Sequence, residues 1–246
     1  QQFLEKSDEA SASFFNDAMM QIPIEEEEFQ QLWAVRVGDL IAYQNVAYAR
    51  QYVTLVKRVY GVDLAVGGDS HRYRLTYWVA FVLYKLMAYK DEYEVARLLT
   101  GTKENEIRKA FDGRVKLSYN LHPPFLRHRG MNSKIQFGPW FRPVLRILSR
   151  LKFLRHSRFD PFGRSIARRE ERETISWFEK LIANTMPLVT PETYPDIVDM
   201  LRIPEKIRGY EDIKRKSIAE VKTRVEQTLG RIQETVAIKS DESVHK

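Results

Sequence analysis

Residues 75–99 read LTYWVAFVLYKLMAYKDEYEVARLL, and the fold turns on how this run is read. Up to Ala88 nearly every helical face is apolar or aromatic, the pattern of a helix surrounded by other helices. The run is too short to cross a bilayer and it contains Lys85, so the expectation is a buried central helix. Then Lys90, Asp91, Glu92, Glu94 and Arg97 arrive together, with no glycine or proline among them. The spacing predicts one helix from about Arg72 to Leu99, ended by Gly101.

Neighbouring segments follow the same period. From Phe29 the apolar positions Leu32, Trp33, Leu40, Ile41, Tyr48, Tyr52, Leu55, Val56 and Val59 recur as one helix, with Gly61 as its C-terminal stop. After a VGGDS loop and the central helix, KENEIRKAF reads as a short helix. VKLSYNL (115–121) alternates with period two, and KIQFG (134–138) is its partner in a β-hairpin with a long polar tip. Pro143 opens a helix with apolar positions Val144, Leu145, Ile147, Leu148 and Leu151. RFDPFG is a turn, Ser165 to Met186 a helix, Thr190-Pro191-Glu192 a helix start, and Glu211 to Val236 a long polar helix. The fold class is therefore mainly α: a helical bundle with one small β-hairpin near 115–138. Residues 1–28, acidic and Ser-rich, read as a mobile leader, 29–236 as one helical domain, and 237–246 as a disordered tail.

The 246 residues carry a net charge of +7, unevenly spread. The first thirty hold Glu25 to Glu28 in a row with Lys6 as their one cation, whereas 127–172 holds thirteen Arg or Lys against Asp160, Glu170 and Glu171. Such asymmetry permits an anionic partner without naming it. The absence of cysteine excludes disulfides, thiolate nucleophiles, zinc fingers and ordinary iron–sulfur ligation by this chain. The N-terminus lacks a signal-peptide pattern, and with no membrane span expected the reading is a cytoplasmic protein.

The sequence carries none of the common catalytic motifs. Neither GxxxxGK[ST] nor GxGxxG occurs, and GGD (67–69) reads as a turn. A GDG followed by a magnesium-ligating Asn is missing. His71, His122, His128, His156 and His245 show no HxxxH or HExxH spacing, and Ser133 and Ser165 sit in no GxSxG.

That leaves two polar features. On a continuous helix Lys90 and Glu94 share a face, as do Lys85 and Tyr89, Tyr93 and Arg97, and Glu94 and Arg97. Asp91 and Glu92 then diverge and make a poor acid–base couple, so Lys90, Asp91, Glu92, Tyr93, Glu94 and Arg97 read as a structural or interface cluster. The alternative is that Lys90, Asp91 and Glu92 line a pocket for coenzyme A or another anion. In the basic segment, Arg142, Arg146 and Arg150 recur at spacing four as a solvated face, joined by Arg168 and Arg169 into a docking face for an acidic protein. Arginine interleaved with aromatics over 125–172 also suits a free-standing RNA- or nucleotide-binding protein, but no RNP, KH or zinc motif accompanies it.

AYQNVAYARQYVTLV (42–56), KLMAYKDEYEVARL (85–98), FGPW (137–140), DPFGRSIARRE (160–170) and PEKIRGYEDIKRKSIAEVK (204–222) occur in one order. Together they resemble the C-terminal helical domain, of unassigned function, of the large-chain indolepyruvate ferredoxin oxidoreductases. The resemblance covers roughly Ile41 to Leu229; LHPP departs from it at His122, where a small residue is usual. It implies a non-catalytic accessory or assembly domain of an enzyme that oxidatively decarboxylates an aryl 2-oxoacid. The partners implied are that enzyme's catalytic subunits or domains and an acidic ferredoxin. No cofactor is implied in this chain; thiamine diphosphate, magnesium and iron–sulfur clusters would belong to other parts of the parent enzyme.

Overall fold

The structure, a computed structural model, describes residues 8–101, 118–121, 135–209 and 211–244. Expectations for KENEIRKAF, the hairpin tip and residues 1–7 lie outside these. The mainly helical class with one small hairpin is what the described residues form. The single domain expected over 29–236 instead divides into two compact units, the larger built from 1–88 and 169–246 and the smaller from 89–168.

In the larger unit, α1 (Glu9–Gln21), α2 (Glu27–Tyr43), α3 (Val46–Ala65) and α4 (Arg74–Met87) come first. The leader reading is corrected by α1. Asp8 caps it, accepting from Ser11 N at 2.8 Å, and Phe14 and Ala18, four apart, are buried. Trp33 Nε1 donates to Ala18 O at 3.0 Å, fastening α1 to α2. The long helix expected from Phe29 to Gly61 is two helices. It breaks at Gln44–Asn45, where the Asn45 side chain accepts from Tyr48 N, and α3 runs past Gly61 to Ala65.

As its all-round apolar pattern requires, α4 is central: Leu75, Val79, Ala80, Val82 and Leu83 have no exposure. It packs on α3, on α2 and on a helix from the far end of the chain, Tyr194–Arg202. Its N-terminus has no capping side chain of its own; Asp63, on α3, supplies one. Asp63 Oδ2 accepts from Thr76 N (2.8 Å) and Thr76 Oγ1 (2.7 Å), and Tyr194 donates to Oδ1 at 2.9 Å while accepting from Leu75 N. Tyrosine hydroxyls close the other ends of this core, Tyr52 on Ala80 O and Tyr48 on Met87 O. Lys85 reaches from α4 to Glu205 O rather than toward Tyr89, and burial pulls its pKa down.

The smaller unit contains α5 (Glu92–Gly101), β1 (Tyr119–Leu121), β2 (Ile135–Phe137) and α6 (Arg142–Arg150). The strands pair antiparallel with Tyr119 opposite Phe137, shorter than the expected hairpin but in its place. Against α5 lies α6, over a small apolar cluster of Ala96, Tyr119 and Leu145 with Leu99, Leu121, Phe137, Phe141 and Leu148. Of the apolar positions on α6, Leu145 is buried, whereas Val144 and Ile147 are exposed.

The rest is α7 (Ile166–Thr185), α8 (Tyr194–Arg202) and α9 (Glu211–Val244). Helix α8 starts one turn later than Thr190-Pro191 suggested, with Thr193 as its cap residue and Pro195 in its first turn. Helix α9 overruns the tail boundary at 236, so the expected disorder from 237 is corrected as far as Val244. No helix among the described residues is long and apolar enough to cross a membrane.

Candidate functional site

The helix predicted to run through the charged cluster stops at Met87. Residues 88–91 leave helical geometry, and α5 begins at Glu92. The break is made by Asp91. Its Oδ1 accepts from Glu94 N at 2.8 Å, three residues on, so the residue that looked like a mid-helix surface charge is the N-cap of a new helix. The carboxylate is 3 % exposed, and a buried charge needs a partner. Arg155, also 3 % exposed, supplies it from 64 residues away, Nε to Oδ2 at 2.5 Å and Nη2 to Oδ1 at 2.8 Å. This two-point geometry fixes the guanidinium plane as well as its position.

Three further contacts surround that pair. The Arg155 guanidinium lies 5.6 Å from the centroid of the Tyr93 ring, and Tyr93 donates its hydroxyl to Asp160 Oδ1 at 3.1 Å. Burial, reinforced by Asp160, raises the Tyr93 pKa far above the ordinary tyrosine value. Asp160 also accepts from Phe162 N (3.0 Å) and His156 N (3.3 Å), so the DPFG turn is wound around one carboxylate. A Cβ on Gly163 would stand 2.5 Å from Asp160 Oδ2, which is why glycine ends that turn. His156, with φ 67°, points its ring at the Tyr89 hydroxyl, 2.9 Å away.

The remaining predicted residues are paired more loosely. Glu94 takes both forks of Arg97, at 2.8 and 2.7 Å, as the spacing of three predicted. Glu92 faces Arg168 Nη2 at 3.3 Å, and that nitrogen also donates to Lys90 O. The Lys90 side chain is exposed, and its predicted pairing with Glu94 is not made, because the two are not on one helix. Tyr93 and Arg97 do share α5 but bind Asp160 and Glu94 instead of each other. Lys152 stands nearby with its pKa lowered, chiefly by burial and then by Arg97 and Arg155, against Glu94.

The predicted basic face is only partly assembled. Arg142, Arg146 and Arg150 lie along α6, the last two exposed. Arg168 is turned into its ion pair with Glu92. Arg169 belongs to the larger unit, where it lines a shallow groove of about 430 Å³ along α7 with Arg172, Glu173, Ser176, Trp177 and Lys180. The sequence reading missed Arg155, His156, Asp160 and Gly163. DPFG was legible as a turn, but nothing local marked Arg155 among the other cations as the one that would be buried.

Chemically, the cluster is a set of answered charges. Asp91 and Asp160 are each held by several donors in a nearly solvent-free setting, which suits fixed placement better than proton transfer to a substrate. Among the described residues no group of three or more His, Asp or Glu could hold a metal ion. FGPW is structural in the same sense. A Cβ on Gly138 would come within 3.1 Å of Trp140 Cδ1, and Trp140 sets its edge against Phe137 and Phe141.

No curated protein and no solved structure matches the chain. One family pattern does, from residue 29 in the first turn of α2 to residue 227 in α9, and so takes in both units and every residue of the charged cluster. With four-fifths of its length inside that match, the chain belongs to the DUF6537 family, a family of unknown function.

Proposed function

We propose that this chain is a non-catalytic assembly domain of a thiamine-diphosphate-dependent indolepyruvate (2-oxoacid):ferredoxin oxidoreductase, working in the cytoplasm. In this reading it joins the catalytic subunits or domains, which carry thiamine diphosphate, magnesium and the iron–sulfur clusters. It presents α6 to an acidic partner such as ferredoxin. The observation that carries the reading is a contrast in how charges are used. Around Asp91 each carboxylate meets a cation or hydroxyl inside the unit, whereas Arg146 and Arg150 face solvent. The first arrangement holds elements in register, and the second is suited to steering an anionic surface.

The test is electron transfer from the complete oxidoreductase to ferredoxin across ionic strength, with Arg146→Glu and Arg150→Glu. The expected result is slower reduction at low salt, converging with the native enzyme as the charges are screened. An unchanged salt dependence removes the docking role, and oxoacid turnover by the isolated chain removes the non-catalytic reading.

The RNA- or nucleotide-binding alternative keeps one specific observation: Trp140, Phe153 and Phe159 are exposed, with the Arg158 guanidinium 5.4 Å from the Phe159 ring centroid. Filter binding of RNA at two salt concentrations separates the two, since phosphate binding weakens steeply with salt.

A further inference from the structure

The face of α6 holds more than arginine. Trp140 is 68 %, Val144 45 % and Ile147 61 % exposed. Val144 and Ile147, three apart, share one face of α6, and Trp140 stands in the 3-10 turn (Pro139–Phe141) that leads into it. Arg146 and Arg150, four apart and exposed, run beside them on the side away from buried Leu145, while Arg142 is half-buried. An apolar patch bordered by exposed cations is not how a purely solvated face is built, and exposed apolar surface of this kind marks interaction sites.

We propose that this face binds an acidic amphipathic helix of a partner protein. The partner's apolar ridge would lie against Trp140, Val144 and Ile147, and its carboxylates against Arg146 and Arg150. The inference rests on the docking reading above but not on the identity of the parent enzyme. Charge complementarity sets the sign of the partner, and the spacing of the exposed positions sets its shape, because rows at three and four residues interdigitate with the same rows of another helix.

The composition favours a protein over a lipid surface. Tryptophan and arginine are the residues that dominate protein interface energetics. Trp140 is already held, its ring 6.1 Å from Phe137 and 5.5 Å from Phe141 by centroid, so little side-chain freedom is lost on binding. A nine-residue helix with two exposed apolar positions and one neighbouring tryptophan offers a membrane little area to bury.

The probe is a labelled synthetic peptide of about 18 residues, long enough for roughly 27 Å of helix, with leucines at three- and four-residue spacing and glutamates on its flanks. It is titrated against the full chain by fluorescence anisotropy, beside a scrambled peptide of equal composition, polyglutamate, and vesicles of phosphatidylcholine with phosphatidylserine. The patterned peptide should bind more tightly than the scrambled one. Ile147→Ser should weaken it about tenfold at both low and high salt, the loss of one well-placed anchor. Arg146→Gln with Arg150→Gln should weaken it at low salt and flatten the salt dependence. All three positions are exposed, and circular dichroism checks that the variants fold.

Equal binding of scrambled peptide or polyglutamate, binding of vesicles alone, or indifference to Ile147→Ser overturns the proposal. Peptide binding that obeys these rules, with ferredoxin reduction unaffected by the arginine variants, removes the ferredoxin-docking reading and leaves this one. Salt-sensitive reduction without patterned-peptide binding does the reverse.

Discussion

Helix α4 in the larger unit is enclosed by apolar side chains, with Leu75, Val79, Ala80, Val82 and Leu83 sealed from solvent and stacked aromatics such as Trp33 on Tyr52 filling in around it. The described part of the smaller unit has a far thinner apolar cluster, centred on Ala96, Tyr119 and Leu145. Beside that thin cluster it buries Asp91 with Arg155 and Tyr93 with Asp160 as deeply as its leucines, whereas in the larger unit Asp63 with Thr76 and Tyr194 is one polar knot at the end of a much larger apolar core. Apolar burial is non-directional and tolerates small shifts, whereas a two-point carboxylate–guanidinium contact fixes where each chain segment must sit. The larger unit therefore draws its stability from area, and the smaller unit draws its register from polar geometry. Buried ion pairs contribute more to placement than to net stability, which gives the contrast measurable consequences.

The largest effect should come from cutting the pair on one side. Asp91→Ala leaves Arg155 buried without its carboxylate and removes the α5 cap, a loss of about 3–5 kcal/mol. Hydrogen exchange resolved by segment should show α5 and residues 151–163 losing protection while α4 keeps it. Replacing both partners, Asp91→Leu with Arg155→Met, should recover most of the loss, since apolar pairs of similar volume are often neutral or better. Equal loss in α4 would erase the distinction between the units. The converse is Leu83→Ala, a cavity in the larger core costing about 2–5 kcal/mol, with the protection lost first from α3 and α4.

Gly163→Ala tests the same idea at a smaller scale. Its Cβ would press on Asp160 within 2.5 Å, and Asp160 is pinned by Tyr93, His156 and Phe162. Overpacking of this kind costs about 1–3 kcal/mol. The effect should vanish in a Tyr93→Phe, Asp160→Ala background, where there is no longer a held carboxylate to displace. A full effect persisting there would mean that the turn itself, not the carboxylate, sets the cost.

How much of this could be read beforehand follows from range. The α4 core was legible because an all-apolar helix declares its own burial, the hairpin because of its period, and the start of α6 because proline suits a first turn. The break at 88–91 was not legible, because Asp91 looks like any helix-surface acid until Arg155 arrives from 64 residues away. Helix α1 was obscured by its acidic composition, although Asp8 as cap and Phe14 with Ala18 at spacing four carried the signal. Of the candidate site, the Glu94–Arg97 pair was local and therefore predictable. The contact of Tyr93 with Asp160 in the DPFG turn was not.

Alkaline pH should affect both units together and so marks where the contrast ends. Burial raises the pKa of Tyr52 and Tyr194 in the larger unit and of Tyr93 in the smaller. The unfolded chain releases these protons near the ordinary 10.0 while the folded chain retains them, so stability is complete below that pH and falls above it. Lys85 and Lys152 oppose this just below 10.5: their folded pKa values are lowered, the unfolded chain binds more protons there, and stability rises with pH. Denaturant titrations followed by the tyrosinate absorption band should show ionisation of these tyrosines coinciding with unfolding. In Tyr93→Phe the smaller unit should lose part of its alkaline sensitivity.

The smallest effect should be at Glu94–Arg97, and its size decides what kind of polar structure the smaller unit has. The pair has good two-point geometry, but Arg97 keeps 28 % of its side chain in solvent against 1 % for Arg155. Solvent around the Arg97 guanidinium can reach the Glu94 carboxylate once Arg97 is cut to Ala, so the loss exceeds the roughly 0.3–0.5 kcal/mol of an exposed helix pair but stays below that of a fully buried pair. The same deletion at Arg155 should cost more. Equal penalties in a denaturation series would mean that the cluster acts as one cooperative network, in which exposure of a single member does not set its worth. Unequal penalties would place the fixed register at Asp91 and Arg155 alone, leaving Arg97 as a peripheral brace on α5.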